Sequence, residues 1–142
     1  MGYTMLTYLL QFLVISTIFL QATASSSKLF CLTTKWEVRV INNILPSPAP
    51  ITLHCASGNV EKGYHTLTTG QEFKFEFCIQ LKTLFFCHLW WNGKNVAFEV
   101  YNQKWNRNYC KGQSCYWEAR SDGIYHSTDS SSKDATKSYD WS

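Results

Sequence analysis

From Lys35 onward the chain alternates apolar and polar positions with a period of two, interrupted at short intervals by glycine, proline or asparagine. That is the pattern of short strands burying one face. Trp36, Val38 and Val40 alternate with Glu37, Arg39 and Ile41 over 35–42. Pro46, Pro48 and Pro50 then stop the run, because proline lacks a ladder donor and fixes its own φ, and a surface connection is expected there. Ile51, Leu53 and Cys55 face one way and Thr52 and His54 the other. Ser57, Gly58, Asn59 and Gly63 predict a loop, followed by a short strand over 64–68 and a turn at Gly70. Phe73, Phe75, Phe77 and Ile79 alternate with Lys74, Glu76 and Cys78, which makes this strand a main wall of the core. Residues 83–91 are apolar on both sides, as in a strand that is central or covered on both faces. Asn92 and Gly93 turn it into a hairpin with a strand carrying Val96, Phe98 and Val100. A last strand opens at Cys115 and includes Trp117 and Ala119. With no useful helical stripe after the leader and no internal repeat, the expected class is all-β, a small disulfide-bonded β-sandwich of seven or eight antiparallel strands.

The two ends of the chain read differently. Residues 1–24 hold no Lys, Arg, Asp or Glu, run apolar from Leu6 to Leu20 and end in Ala22, Thr23 and Ala24. A small-x-small site after an apolar run predicts a signal peptide cleaved after Ala24, and hence a secreted, extracellular product not inserted in a membrane. An uncleaved anchor is the alternative, since no basic residue precedes the run, but the run is short for a bilayer span. Residues 25–34 read as a flexible Ser-rich lead-in, 35–126 as one domain, and 127–142, mostly Ser, Asp, Lys and Thr, as a disordered polar tail with too little apolar surface to offset ordering.

The net charge of +3 is scattered among acidic residues without a block. It gives no basic face and no nucleic-acid partner. No G-x-S-x-G, H-E-x-x-H or P-loop is present, so neither an enzyme nor a cofactor is expected. Six cysteines lie beyond the leader, where thiols oxidise and disulfides persist. His54 beside Cys55 and His88 beside Cys87 invite a zinc reading. Alternation answers it: if the cysteines face the core, the histidines face outward, and no shared metal site is expected.

Taken in order, Val38, Val40, Asn42, Leu53, His54, Cys55, Ser57, Gly63, His65, Phe73, Phe75 and Phe77 resemble the plant self-incompatibility proteins and their S-protein homologues. The resemblance continues through Leu84, Phe85, Phe86, Cys87, His88, Trp90, Phe98, Val100, Tyr101, Cys110, Cys115, Trp117 and Gly123, covering about Trp36 to Tyr125. It implies a secreted, non-enzymatic signalling ligand read by a cell-surface receptor, for self-pollen rejection in the best understood members and for other developmental or defence signals elsewhere. Three departures stand out. The loop after Ser57, rich in aspartate in the family, here reads Gly58, Asn59, Val60, Glu61, Lys62, Gly63. Cys31 and Cys78 fall outside the shared four cysteines, and the polar tail is long.

The pairing expected for the shared cysteines is Cys55 with Cys87 and Cys110 with Cys115, crossed pairing being the alternative. The first closes a loop worth roughly 3–4 kcal/mol in the chain-entropy model and the second roughly 2. Cys78 shares its strand face with Lys74 and Glu76, away from the phenylalanines, and is expected to bond Cys31 or to pair between molecules. The loops 56–63 and 102–108, with Glu61, Lys62, Trp105 and Arg107, are the expected receptor-binding surface, because loops on a rigid scaffold commonly carry recognition. Trp105, an aromatic among polar neighbours, supports an alternative, a carbohydrate-binding module of the cell wall.

Overall fold

Strand β1 (Lys35–Asn42) buries Val38, Val40 and Asn42 completely while Glu37, Arg39 and Ile41 stay half-exposed. The computed structural model that shows this describes residues 2–22, 30–45 and 49–142. Thr23 and Ala24 of the expected cleavage site, the lead-in before Phe30, and Pro46 and Pro48 lie outside the described residues. The chain divides into two units, 1–30 and 31–142. The first contains helix α1 (Gly2–Ala22), uncharged throughout. Among the described residues no helix is long and apolar enough to cross a membrane.

The second unit is a two-layer sandwich. Its remaining strands are β2 (Ile51–Ala56), β3 (Glu61–Leu67), β4 (Glu72–Cys78), β5 (Leu84–Trp91), β6 (Lys94–Asn102), β7 (Ser114–Arg120), β8 (Gly123–Ser127) and β9 (Thr136–Tyr139). One sheet has the order β4-β1-β7-β8-β9 and the other β3-β2-β5-β6. The described residues thus hold nine strands rather than seven or eight, and not every pair is antiparallel: β1 lies parallel to β7, with Val38 opposite Cys115 and Val40 opposite Trp117. Alternation reports which face of a strand is buried and carries no information about the direction of its neighbour, so the parallel pair has no signature in the sequence.

The inward rows of the two sheets make one core. Phe75 and Phe77 of β4 meet Phe85 of β5 with ring centroids 5.1 and 4.7 Å apart. Trp117, 1% exposed, donates its indole N–H to the Val100 carbonyl at 3.0 Å and so ties the first sheet to the second. Asn42, fully buried, donates to the Leu67 carbonyl at 2.9 Å and accepts from the Ile44 N–H at 3.0 Å. A buried amide is tolerable only because both ends are satisfied. Strand β5 is central, between β2 and β6. Among the described residues of this unit its outer side stays partly open: Phe86 is 39% exposed, and Tyr64, His54, Trp90 and His88 stack in pairs across that face.

The tail is the main correction. Residues 127–142 do not form a disordered extension; Ser127 ends β8, and β9 pairs with β8 through Ile124–Tyr139 and His126–Thr136. Tyr139 lies 5.1 Å from Phe98, Trp141 lies 5.6 Å from Trp91, and the Trp141 indole donates to the Arg120 carbonyl at 2.8 Å. Ser142 and Asn95 exchange backbone hydrogen bonds at 3.0 Å in each direction, so the chain end bridges from the β9 edge to β6 of the opposite sheet. Composition misreads this segment because two aromatic rings and a paired backbone, not apolar content, hold it. The end of the lead-in is likewise fixed: Thr33 donates to the Ile79 carbonyl at 2.7 Å, and Ile79 N–H donates to the Thr34 carbonyl at 3.1 Å.

Candidate functional site

The strand register gathers several connections at one end of the sandwich. Strand β2 ends at Ala56 opposite Phe86, β6 ends at Asn102 opposite Leu84, and β7 starts at Ser114 beside Glu37 of β1. Segments 57–60, 79–83, 103–113 and 128–135 therefore leave the sheets at the same end. The three disulfides cluster toward it too: Cys31–Cys78, Cys55–Cys87 and Cys110–Cys115, with Cα separations of 5.4, 4.1 and 4.9 Å. Cys55–Cys87 joins register partners on neighbouring strands of one sheet, and Cys31–Cys78 anchors the chain entering β1 to the end of β4.

The β6–β7 connection is the longest of these and is held by its own backbone. Trp105 N–H donates to the Asn102 carbonyl at 3.0 Å and Tyr109 N–H to the Asn106 carbonyl at 2.9 Å. The Asn102 and Asn106 side-chain oxygens accept from Lys104 N–H and Asn108 N–H at 2.9 and 3.1 Å, local asparagine turns that replace a ladder. Gln103 N–H reaches the Thr83 carbonyl at 2.9 Å, joining two connections. Near the Cys110–Cys115 bond, Gly112 and Gln113 have φ of 61° and 62°. Gln113 takes this left-handed conformation without being glycine, and its carbonyl is held at 3.0 Å by the Glu37 N–H.

Beneath this connection lies a cleft of about 540 Å³. Trp36, Tyr101, Trp105 and Tyr109 supply its aromatic walls, and Asn102, Gln103, Asn106, Gln113 and Arg107 its polar lining. The walls are braced: Trp36 and Tyr101 are 5.3 Å apart, Trp105 and Tyr109 4.4 Å, and Tyr109 stacks on buried His126 at 4.1 Å. Tyr101 donates to Gln103 Oε1 at 2.5 Å. Burial pushes the Tyr101 and Tyr109 phenols above the ordinary tyrosine range and the His126 imidazole below the ordinary histidine range. All three are therefore neutral at physiological pH.

Of the residues singled out from the sequence, Trp105 and Arg107 line the cleft and Glu61 and Lys62 do not. Glu61 is exposed, accepting from Gly63 N–H at 2.9 Å and contacting His54 Nε2 at 2.5 Å; the Gly63 bond, then the His54 contact, hold its carboxyl below the usual range. Lys62 is turned inward. Its ammonium lies 5.2 and 5.9 Å from the Phe75 and Phe85 rings and donates to the Glu76 carbonyl at 3.3 Å, and burial lowers its pKa. It closes the seam between β3 and β4 instead of offering a free charge.

Cys55 and Cys87 are fully buried and bonded to each other, while His54 and His88 face outward on the same sheet, where they are register partners. Their Nε2 atoms turn to different groups, His54 to Glu61 and His88 to Asn95 Oδ1 at 2.9 Å. Among the described residues no group of three or more His, Cys, Asp or Glu side chains is placed to hold a metal. Trp36, Tyr101 and Tyr109 are the aromatic cleft residues that sequence reasoning misses. Alternation assigns the first two to strands, and only their positions at strand ends, where connections fold over them, bring them to the cleft; Tyr101, 5% exposed, belongs to the core as well.

The profile of the family described as plant self-incompatibility protein S1 matches residues 37–141, which includes the segment taken from composition as a departing tail. S-protein homolog 5 of Arabidopsis thaliana is 33% identical over 92 residues, 62% of this chain and 70% of the relative. S-protein homolog 18 of the same plant is 32% identical over 95 residues, 66% and 70% of the two chains. A solved self-incompatibility protein homologue, from a family described as a widespread one of small, highly stable, secreted plant proteins, superposes with a TM-score of 0.57 at 19% identity, over 78% of this chain and 96% of that one. With the sandwich, the ordered C-terminal strand and the profile match in agreement, this chain belongs to the plant self-incompatibility protein S1 family.

Proposed function

We propose that the domain is exported and acts as a protein ligand, read by a cell-surface receptor at the end that carries 56–63 and 102–113. Binding rather than turnover is its activity. The observation that carries this reading is the β6–β7 connection: it is fixed by its own hydrogen bonds and by Cys110–Cys115, yet Lys104 and Arg107 on it are exposed and make no ion pair with any described residue. A rigid loop loses little conformational freedom on binding, and unpaired charges steer and orient a partner. The solved relative's description as secreted supports export, and the uncharged segment before Ala24 supports a cleaved leader.

The test is saturable binding of fluorescently tagged secreted protein to protoplasts from several tissues, repeated with Arg107→Ala and Glu61→Ala. Loss of binding in Arg107→Ala, with the circular dichroism spectrum unchanged, supports the reading. Equal binding by both variants and the parent refutes the assigned surface. Tissue dependence of the signal separates a mating role in the pistil from a signal used elsewhere in the plant.

A further inference from the structure

The cleft differs from the rest of the surface in what its lining leaves unpaired. The indole N–H groups of Trp36 and Trp105 and the Gln113 side-chain amide make no hydrogen bond to a described residue, and the Arg107 guanidinium has no ion-pair partner there. The charged lining group is a cation, and no Asp or Glu occurs between Val100 and Trp117, where Lys104, Arg107 and Lys111 stand. Donors thus outnumber acceptors around aromatic walls. Tryptophan and tyrosine faces suit the C–H faces of sugar rings, asparagine and glutamine amides suit neighbouring hydroxyls, and a guanidinium suits a planar carboxylate, which it can grip with two parallel bonds. The volume of about 540 Å³ falls in the range of small-ligand clefts, about 300–1,000 Å³.

We propose that this cleft binds an acidic oligosaccharide, one whose uronate carboxylate pairs with Arg107 while adjoining rings lie against Trp105 and Trp36. An acidic peptide carries the same charge but lacks ring faces and vicinal hydroxyls, so it would leave the aromatic walls and the amide lining without complements. The site shares Arg107 with the surface proposed for receptor recognition, so a sugar held there would compete with a protein partner for that cation.

The experiment is isothermal titration of the full secreted chain at low ionic strength with a short oligogalacturonate, its methyl-esterified counterpart, and an oligoglutamate of equal charge. The oligogalacturonate is expected to bind. Methyl esterification or Arg107→Ala is expected to weaken binding about tenfold or more, the scale of one charge-assisted hydrogen-bonded contact. Trp105→Phe keeps an aromatic packed on Tyr109 while removing the indole donor, and is expected to weaken binding about threefold or more. Lys94→Ala, at the turn at the opposite end of the sandwich, is expected to change nothing and so separates a site from diffuse charge. No binding of the oligogalacturonate overturns the proposal, as does equal weakening by Lys94→Ala and Arg107→Ala. Equal affinity for the oligoglutamate overturns the sugar assignment in favour of an acidic peptide. No receptor enters the titration, so its failure and a failure of receptor recognition are read independently.

Discussion

Replacing Trp141 by alanine tests whether the C-terminal segment is part of the folded domain. The ring is half-buried against Trp91, centroids 5.6 Å apart, and its N–H holds the Arg120 carbonyl at 2.8 Å. Truncating a fully buried tryptophan costs about 3–5 kcal/mol. Half-burial cuts that to about 2, and the lost hydrogen bond adds about 1. One effect opposes these: the buried Trp91 Nε1 has no partner among the described residues, and removing Trp141 admits water to it. A net loss of about 2 kcal/mol follows, which for a two-state domain of this size lowers Tm by about 6–10 °C. Differential scanning calorimetry of the oxidised protein reads the shift directly. Hydrogen exchange adds a local signature, since the Asn95 amide, bonded to the Ser142 carbonyl at 3.0 Å, should lose protection even at temperatures where the variant remains folded. A Tm change under about 2 °C, with Asn95 equally protected, would refute the packing described here.

Three further outcomes are expected. Asn42→Ala leaves the Leu67 carbonyl and the Ile44 N–H without their partner in a fully buried site and should cost about 2–3 kcal/mol in urea denaturation; a loss below 1 would contradict the buried bridge. Because burial lowers the His126 pKa in the folded state, with Asp134 opposing, the unfolded chain takes up the proton first. Stability from this residue is therefore complete above the unfolded value of about 6.5 and declines as pH falls below it. His126→Phe, which keeps the stack on Tyr109, should flatten the urea midpoint between about pH 6.5 and 5, a window above the range where the carboxylates Glu118 and Asp134, with lowered pKa values, surrender theirs. Replacing Cys55 and Cys87 together by alanine should cost about 3–4 kcal/mol, the entropy released by opening a loop that spans a separation of 32 residues; an unchanged denaturation midpoint would count against that bond.

Much of the sandwich is legible as period-two alternation. Val38 and Val40, the phenylalanines of β4, and Val96, Phe98 and Val100 announce their strands and their buried faces. What escapes is whatever alternation does not encode. Strand β1 is parallel to β7 because of how the chain crosses between layers, a property of no single strand. Strand β9 reads Thr136, Lys137, Ser138, Tyr139, with almost no apolar content, and depends on β8 for its hydrogen bonds and on Gly123 for space. A Cβ on Gly123 would stand 2.4 Å from the Tyr139 carbonyl oxygen, so the close approach is built into the partner strand. The cleft was half-legible. Trp105 and Arg107 stand out as an aromatic and a cation in a polar loop, whereas Trp36 reads as core and Tyr101 falls with Ala97 and Glu99 on the other row of its strand; only the connection folded over these strand ends puts both on the cleft.

The bonds Cys31–Cys78 and Cys55–Cys87 interleave along the chain, and the strand following Cys31 is enclosed between β4 and β7. During synthesis from the N-terminus, Cys31 and Cys55 emerge first and are the first thiols able to react, but they are not mates. Nor can β1 find its second neighbour until ribosomes have delivered nearly the whole polypeptide. Maturation is thereby made a late event, and any early Cys31–Cys55 pair has to be exchanged by thiolate attack before the first sheet can close around its oldest strand. Yield from an expression host should accordingly track its supply of disulfide isomerase more than its rate of oxidation.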